Sequence, residues 1–303
     1  MAEKGASTLA ATSAALDEVT AFLRERPRLR TLGVAGPPYA VLLVFFAIPL
    51  LAMVVVSFQD GEIGGPWTIA NYTAFLGSET YLTVVWRTLQ ISVKVTAIVA
   101  VIGYALAYSI VRFSRRTTLL LLLVILPFWT SYIIRMYAWI NILQSGGVLD
   151  STLSMLGLPP VGLLYSGPAV LIGFTYVWLP LAVLPFYASL TNLDTDLIEA
   201  SKDLGAGPIR TFASVTLPLT ANGVVTGVIL VFIPTFGSFI TPRLLGGTNN
   251  IMIGMVIENQ FKSAFNWPFG AAIGMVISVV VVALLIAGMR YGGGLFAREV
   301  EEP

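Results

Sequence analysis

Six stretches of this chain are each apolar and long enough to cross a hydrocarbon core of about 30 Å as a helix, which takes about 20 residues. They cover residues 38–58, 84–111, 118–143, 168–190, 218–241 and 270–290. Lipid offers a backbone no hydrogen bonds, so a chain with six such runs and no soluble block between them must fold as an all-α integral-membrane bundle. Composition agrees: 56% of residues are hydrophobic and 11% charged, against about 25% charged in a soluble domain. The expected organisation is an N-terminal segment over 1–37, one transmembrane domain over 38–291 and a tail over 292–303.

Lys and Arg are enriched in cytoplasmic loops, which sets the orientation. With a cytoplasmic N-terminus, the inner segments hold Lys4, Arg24, Arg26, Arg28, Arg30, Arg112, Arg115, Arg116, Lys202, Arg210, Arg290 and Arg298, and the outer loops only Arg243 and Lys262. Both termini are therefore expected in the cytoplasm, with residues 59–80, 144–167 and 244–269 outside. Four arginines precede the first apolar run as in a signal peptide, but the run is too long and no small-residue cleavage site follows, so it reads as an uncleaved span. Before it, Leu16, Val19, Phe22 and Leu23 share a helical face. That segment is either a short amphipathic surface helix or disordered.

The chain has no Cys and no His, which excludes disulfides, thiol chemistry and imidazole-based metal ligation or catalysis. The formal net charge of +1 gives no basic footprint for nucleic acid. No carboxylate lies deep in any span, so there is no intramembrane acid relay of the kind a proton-coupled transporter would use.

Three basic residues, Arg87, Lys94 and Arg135, do lie within the spans. Thr83, Arg87, Gln90 and Lys94 share one face of the second, and Arg135 lies toward the outer end of the third. They read either as snorkelling side chains or as functional positions. Trp129, Tyr132, Tyr176 and Trp178 are the deeper members of a dense aromatic set in the third and fourth spans. Such rings can hold a passing cation, or form an interfacial belt. Glu258 is the acid nearest to that route and stands four residues before Lys262, in the favourable order. Pro127, Pro180, Pro185 and Pro234 are expected within helices. The pairs Gly223/Gly227 and Gly270/Gly274 allow close helix contact.

The longest internal cytoplasmic loop, residues 191–217, carries a helical stretch from Asp194 to Leu204 that Gly205 can terminate as a C-cap. Within it stand Glu199, Ala200 and Ser201, then Gly205, Val215, Leu217 and Pro218. At this spacing the loop resembles the signature of permease subunits in binding-protein-dependent, ATP-driven importers: Glu-Ala-Ala, three residues, Gly, nine residues, Ile, one residue, Leu-Pro. Ser201 for Ala and Val215 for Ile are the departures. Further stretches, among them LPFWTSYIIRMYAW, TFGSFITPRLLGG and MIGMVIENQF, are similar to the first permease subunit of spermidine/putrescine importers, and the likeness covers most of the chain after residue 80.

The resemblance implies a type I importer-permease bundle in the bacterial inner membrane, whose loop helix docks into a cleft of a separate ATPase. Glu199, Ala200, Ser201, Asp203, Leu204 and Gly205 are the coupling residues it implies. Trp129, Tyr132, Tyr176, Trp178 and Glu258 are the candidate pathway residues. The implied partners are an ATPase dimer, a second related permease and an extracytoplasmic binding protein, and the implied cargo is a small cationic amine, spermidine or putrescine, with an opine or another amine as the alternative. The chain has no Gly-Lys pair, hence no phosphate-binding loop of its own. ATP and Mg would be bound by the partner, with no cofactor in this chain.

Overall fold

The computed structural model describes residue 36 and residues 38–297, with side chains as far as residue 288. The amphipathic stretch around Leu16–Leu23 and residues 298–303 lie outside the described residues. Among those described, every regular element is helical, and the only β pairing is an isolated bridge between Gln59 and Trp67. The chain divides into two units, Met1–Val56 and Ser57–Pro303.

The first unit contributes most of helix α1, Pro38–Ser57, which is apolar along its whole described length. Its residues Leu43–Ala47 form a π-helical turn two residues ahead of Pro49. A proline ring clashes with the carbonyl four residues earlier, and a wider turn relieves that clash without breaking the span. The same device recurs in the second unit, where the π-helical Phe212–Thr216 precedes Pro218.

The second unit begins with a short helix α2, Ala70–Leu76, and the long helix α3, Glu79–Phe113. Helix α4, Thr117–Ile125, tightens into a 3-10 turn over Leu126–Trp129, and α5 spans Tyr132–Leu143. The third apolar run was expected to be one straight span, and it is not: the chain bends by 94° between Trp129 and Tyr132. Pro127 opens the 3-10 turn, and Thr130 and Ser131 are extended, with ψ of 148° and 136°. Hydropathy continues unbroken across the bend because the apolar side chains do, while the backbone loses its helical bonds.

After α6, Val148–Met155, come α7, Gly167–Thr191, and α8, Thr195–Asp203. Helix α9, Pro208–Leu219, lies almost wholly in the expected 191–217 loop, and it meets α10, Ala221–Phe236, at 68° around Thr220, just inside the expected 218–241 span. The chain closes with α11, Ile240–Leu245, α12, Ile253–Lys262, and α13, Trp267–Ala297. The last helix runs six residues into the expected tail.

Helices α3, α7 and α10 form the central packing unit. The fully buried Phe186 of α7 explains the small residues opposite it. A Cβ on Gly227 would lie 2.3 Å from its ring and one on Gly223 2.2 Å from Ser189 Oγ, while Gly103 of α3 faces the same ring at 3.3 Å. The Gly223/Gly227 pair is therefore a close-contact surface. Gly274 has nothing within 4 Å and serves no such contact. A second cluster joins Phe75, Val84, Phe236, Ile253, Phe269 and Ile273. Thr88 of α3 accepts the Ile253 amide at 2.8 Å, which pins the start of α12.

These contacts define two ends of the second unit. One gathers the start of α3, the start of α7 and the 249–253 turn, as in the 2.9 Å bond from Arg87 Nη1 to Asn249 O. The other gathers the ends of α3 and α7 with α8, α9 and the start of α10.

Candidate functional site

Helix α8 is built by its caps. Asp194 accepts the Asp196 amide at 3.0 Å, and Asp196 in the first turn and Lys202 in the last suit the helix dipole. At the other end Gly205 N–H donates to Lys202 O at 2.8 Å and Ala206 N–H to Ser201 O at 3.1 Å. This is the paired bonding of a Schellman ending, and it needs a left-handed residue, here Gly205 with φ +82°. No atom lies within 4 Å of the position a Cβ would take there, so the glycine is required by conformation alone. The predicted helix and its stop are both present.

None of the residues Thr195–Asp203 is buried. Leu204 is 89% exposed and Ile209 84% exposed, with Leu197 exposed beside them. Glu199 and Ala200 face solvent, and Glu199 makes no ion pair among the described residues. A capped helix that buries nothing of its own while displaying leucine, isoleucine and an unpaired carboxylate has the character of a protein-docking surface. Ser201 is the member turned inward. Its Oγ lies 3.2 Å from Oγ1 of the buried Thr211, which holds α8 against α9 by a bond that the family's usual Ala could not make.

From α9 the connection reaches the central unit through a buried hydroxyl pair and an aromatic cluster. Thr220, at the 68° bend, donates to Thr216 O at 2.8 Å and is bonded to Tyr104 OH of α3 at 2.7 Å. Phe212 packs edge-on against Tyr104 and Tyr108, with centroids at 5.9 and 5.6 Å. An aromatic cluster and a hydroxyl pair thus join α9 and the 68° bend to α3. Sequence reading missed this contact, since neither Tyr104 nor Thr220 stands in a motif.

The aromatic candidates are only partly brought together. Tyr132 and Trp178 lie 6.3 Å apart, and Tyr132 OH is bonded to Thr241 Oγ1 of α11 at 2.5 Å. Trp129 is 81% exposed at the bend. Tyr176 instead packs edge-on against Trp139, two turns further along α5. Arg135 is buried, with its guanidinium carbon 5.6 Å from the Phe128 ring and 5.8 Å from the Tyr132 ring. Glu258 is gripped by Arg243, through Nη1 to Oε1 at 2.9 Å and by Nη2 on Oε2, and Lys262 Nζ lies 3.3 Å from Oε1. Its charge is already balanced twice by this chain. Lys262 could be foreseen from its i,i+4 spacing, whereas Arg243 is brought in by the fold.

In the 144–167 connection, Asp150 accepts the amides of Gly146 and Val161, each at 3.0 Å, and is approached by that of Gly162 at 3.4 Å. These bonds favour the ionised form and hold the carboxyl below its ordinary range. It is the knot of that loop. Among the described residues, no group of acidic side chains is placed to hold a metal.

Long apolar helices, two of them bent, with one capped and unburied helix between α7 and α9, define a polytopic membrane subunit built to meet another protein. The chain belongs to the family of binding-protein-dependent transport system inner membrane components, whose model matches residues 34–291. It is 38% identical over 270 residues to the spermidine/putrescine transport system permease protein PotB of Haemophilus influenzae, covering 87% of this chain and 94% of that one. It is 35% identical to Escherichia coli PotB over 256 residues, 82% of this chain and 93% of the relative. The E. coli inner membrane ABC transporter permease protein YdcU is 33% identical over 302 residues, 93% and 96% of the two chains. A chain in the crystal structure of a bacterial ABC transporter that imports alginate superposes with a TM-score of 0.74 at 16% identity, covering 94% of this chain and all of that one. That likeness establishes the type I importer-permease fold.

Proposed function

We propose that this chain is the permease half of an importer for a small cationic amine, spermidine or putrescine, driven by a separate ATPase that docks on α8. The observation that carries the cargo is identity of 35–38% to spermidine/putrescine permeases over more than four-fifths of the chain. The exposed α8, with its unpaired Glu199 and apolar Leu204, supports the coupling role. ATP and Mg belong to that ATPase dimer, and a second permease completes the pathway. A binding protein delivers cargo to 59–80, 144–167 and 244–269 on the outer side, and both termini are cytoplasmic, a reading supported by the distribution of Lys and Arg.

The site's chemistry fits a cation held by ring faces rather than by carboxylates. Tyr132 and Trp178 lie 6.3 Å apart and Trp129 is exposed at the bend, while Glu258, the candidate acid, is occupied by Arg243 and Lys262. Ring faces bind ammonium groups weakly, which suits a site that must release its cargo. The test is uptake into proteoliposomes holding the whole transporter, its binding protein and ATP. Saturable uptake of labelled spermidine or putrescine is expected. Uptake of an opine with no uptake of either amine would overturn the cargo assignment while leaving the coupling role intact.

A further inference from the structure

At the end of the second unit that gathers α8 and α9, an open groove of about 560 Å³ runs along α3. It is lined on α3 by Val101, Ala105 and Ser109, on α9 by Phe212 and Leu217, and on α10 by Val224. Val101 is 71% exposed and Ala105 is exposed beside it, so the groove is an outer surface of the unit. Its hydroxyls are largely spent inside the chain. Tyr104, which also lines it, is bonded to Thr220, and Ser109 Oγ donates to Ala105 O at 2.7 Å. Apart from the Tyr108 hydroxyl near its end, the lining is hydrocarbon and ring, which suits an occupant that needs no hydrogen bonds.

Length and charge narrow the choice of occupant. From Ala100 to Ser109 the lining covers nine steps of helix, roughly 14 Å at about 1.5 Å per residue, which is close to half of a hydrocarbon core of about 30 Å. The groove is one leaflet deep. Arg112 follows Ala105 by seven residues and Val101 by eleven, and so returns to the face of α3 that lines the groove. Arg115 and Arg116 stand just past the end of α3 at Phe113. All three are exposed, and none forms an ion pair among the described residues. The negative end of the α3 dipole accounts for Arg112 alone. We infer that the groove and these arginines form a site for one anionic phospholipid, its acyl chain against Phe212 and Leu217 and its phosphate on the arginines. Guanidinium groups pair with phosphate through parallel hydrogen bonds, and basic clusters beside membrane helices collect anionic headgroups. The lipid completes the surface beside the aromatic cluster that joins α9 to α3. This goes beyond the cargo and coupling readings and depends on neither.

The test uses the assembled transporter in phosphatidylcholine vesicles doped with a trace of photoreactive lipid, either phosphatidylglycerol or phosphatidylcholine with the same diazirine-bearing acyl chain. Peptide mapping should find label on residues 100–109 and 212–224, about fivefold or more stronger from phosphatidylglycerol. Unlabelled phosphatidylglycerol in excess should compete it away. Ala105→Phe puts a ring into the groove and should remove label from both lipids. Replacing Arg112, Arg115 and Arg116 together by Gln leaves the groove intact, so labelling should persist while the preference for the anionic lipid disappears. This triple variant decides the matter if Ala105→Phe fails to assemble. Equal labelling of the wild type by the two lipids would overturn the site. So would absence of label from the groove, an unchanged preference in the triple variant, or full labelling of an assembled Ala105→Phe complex. A short bifunctional reagent on Ala105→Cys that joins it to α1 or to a second permease would assign the groove to a covering helix and overturn the lipid site as well.

Discussion

Replacing Gly205 by Val isolates the backbone term of the α8 ending. At φ +82° with no atom within 4 Å of a would-be Cβ, the substitution meets no neighbour, so its whole effect is the left-handed penalty of about 1–2 kcal/mol. Helix α8 has nine residues, none of them buried, and an isolated helix shorter than about 12–15 residues is marginal in water. A loss of 1–2 kcal/mol shifts such a local equilibrium by a factor on the order of 5–30. The two Schellman bonds then open together, and the chain leaves toward Pro208 in a different direction. In the reconstituted transporter with loaded binding protein, cargo-stimulated ATP hydrolysis should fall at least fivefold for Gly205→Val, while Gly205→Asn, which tolerates the left-handed region, keeps most of it. Gly207 provides the control, since at φ −70° with open space around it and in an N-cap position, Gly207→Ser should be harmless. Full stimulation in Gly205→Val, or equal damage in Gly207→Ser, would refute the reasoning.

Gly227→Ala places a Cβ against the Phe186 ring and should cost about 1–3 kcal/mol, seen as a lower thermal midpoint of the purified complex, whereas Gly274→Ala, with open space, should hold or raise it. Tyr104→Phe keeps the ring packing on Phe186 and Phe212 and removes only the bond to Thr220, worth about 1 kcal/mol; a small drop in midpoint with a larger loss of stimulated ATPase is expected, and no change in either would remove that contact from the transmission route. Trp178→Leu keeps bulk and removes the ring face, so amine uptake should fall severalfold with transporter level unchanged; unaltered uptake would make Trp178 a packing residue.

Local features of this molecule were legible where a single turn of chain decides them. Asp194, Lys202 and Gly205 announced the limits of α8, because caps depend on residues within a few positions of the helix end. The six apolar runs were legible for a similar reason, since burial in lipid demands length and hydropathy alone. The bends at Thr130–Ser131 and Thr220 were not, because both lie inside continuous apolar runs. Their cues, Pro127 and Pro218, also suit an unbroken helix in a packed bundle, as Pro180 and Pro185 of α7 show. Arg135 was left open between snorkelling and a functional position, because the choice depends on the path of the backbone. The chain turns by 94° there, and the guanidinium lies against the Phe128 and Tyr132 rings. For Glu258 the Lys262 partner was legible from its spacing, but Arg243, fifteen residues away, reaches it only after α11 and α12 fold together.

Because the chain has no cysteine of its own, an Ala200→Cys probe on α8 tests most directly whether a separate ATPase engages this helix. In inside-out vesicles carrying the assembled transporter, a short bifunctional reagent on residue 200 should join this chain to the ATPase subunit, with a yield that changes when ATP is added. The same reagent at Ser151→Cys, in a segment proposed to lie on the outer side, should give no such product. A probe at residue 200 that is labelled from outside intact cells, or that never reaches the ATPase while the transporter is active, would contradict the account.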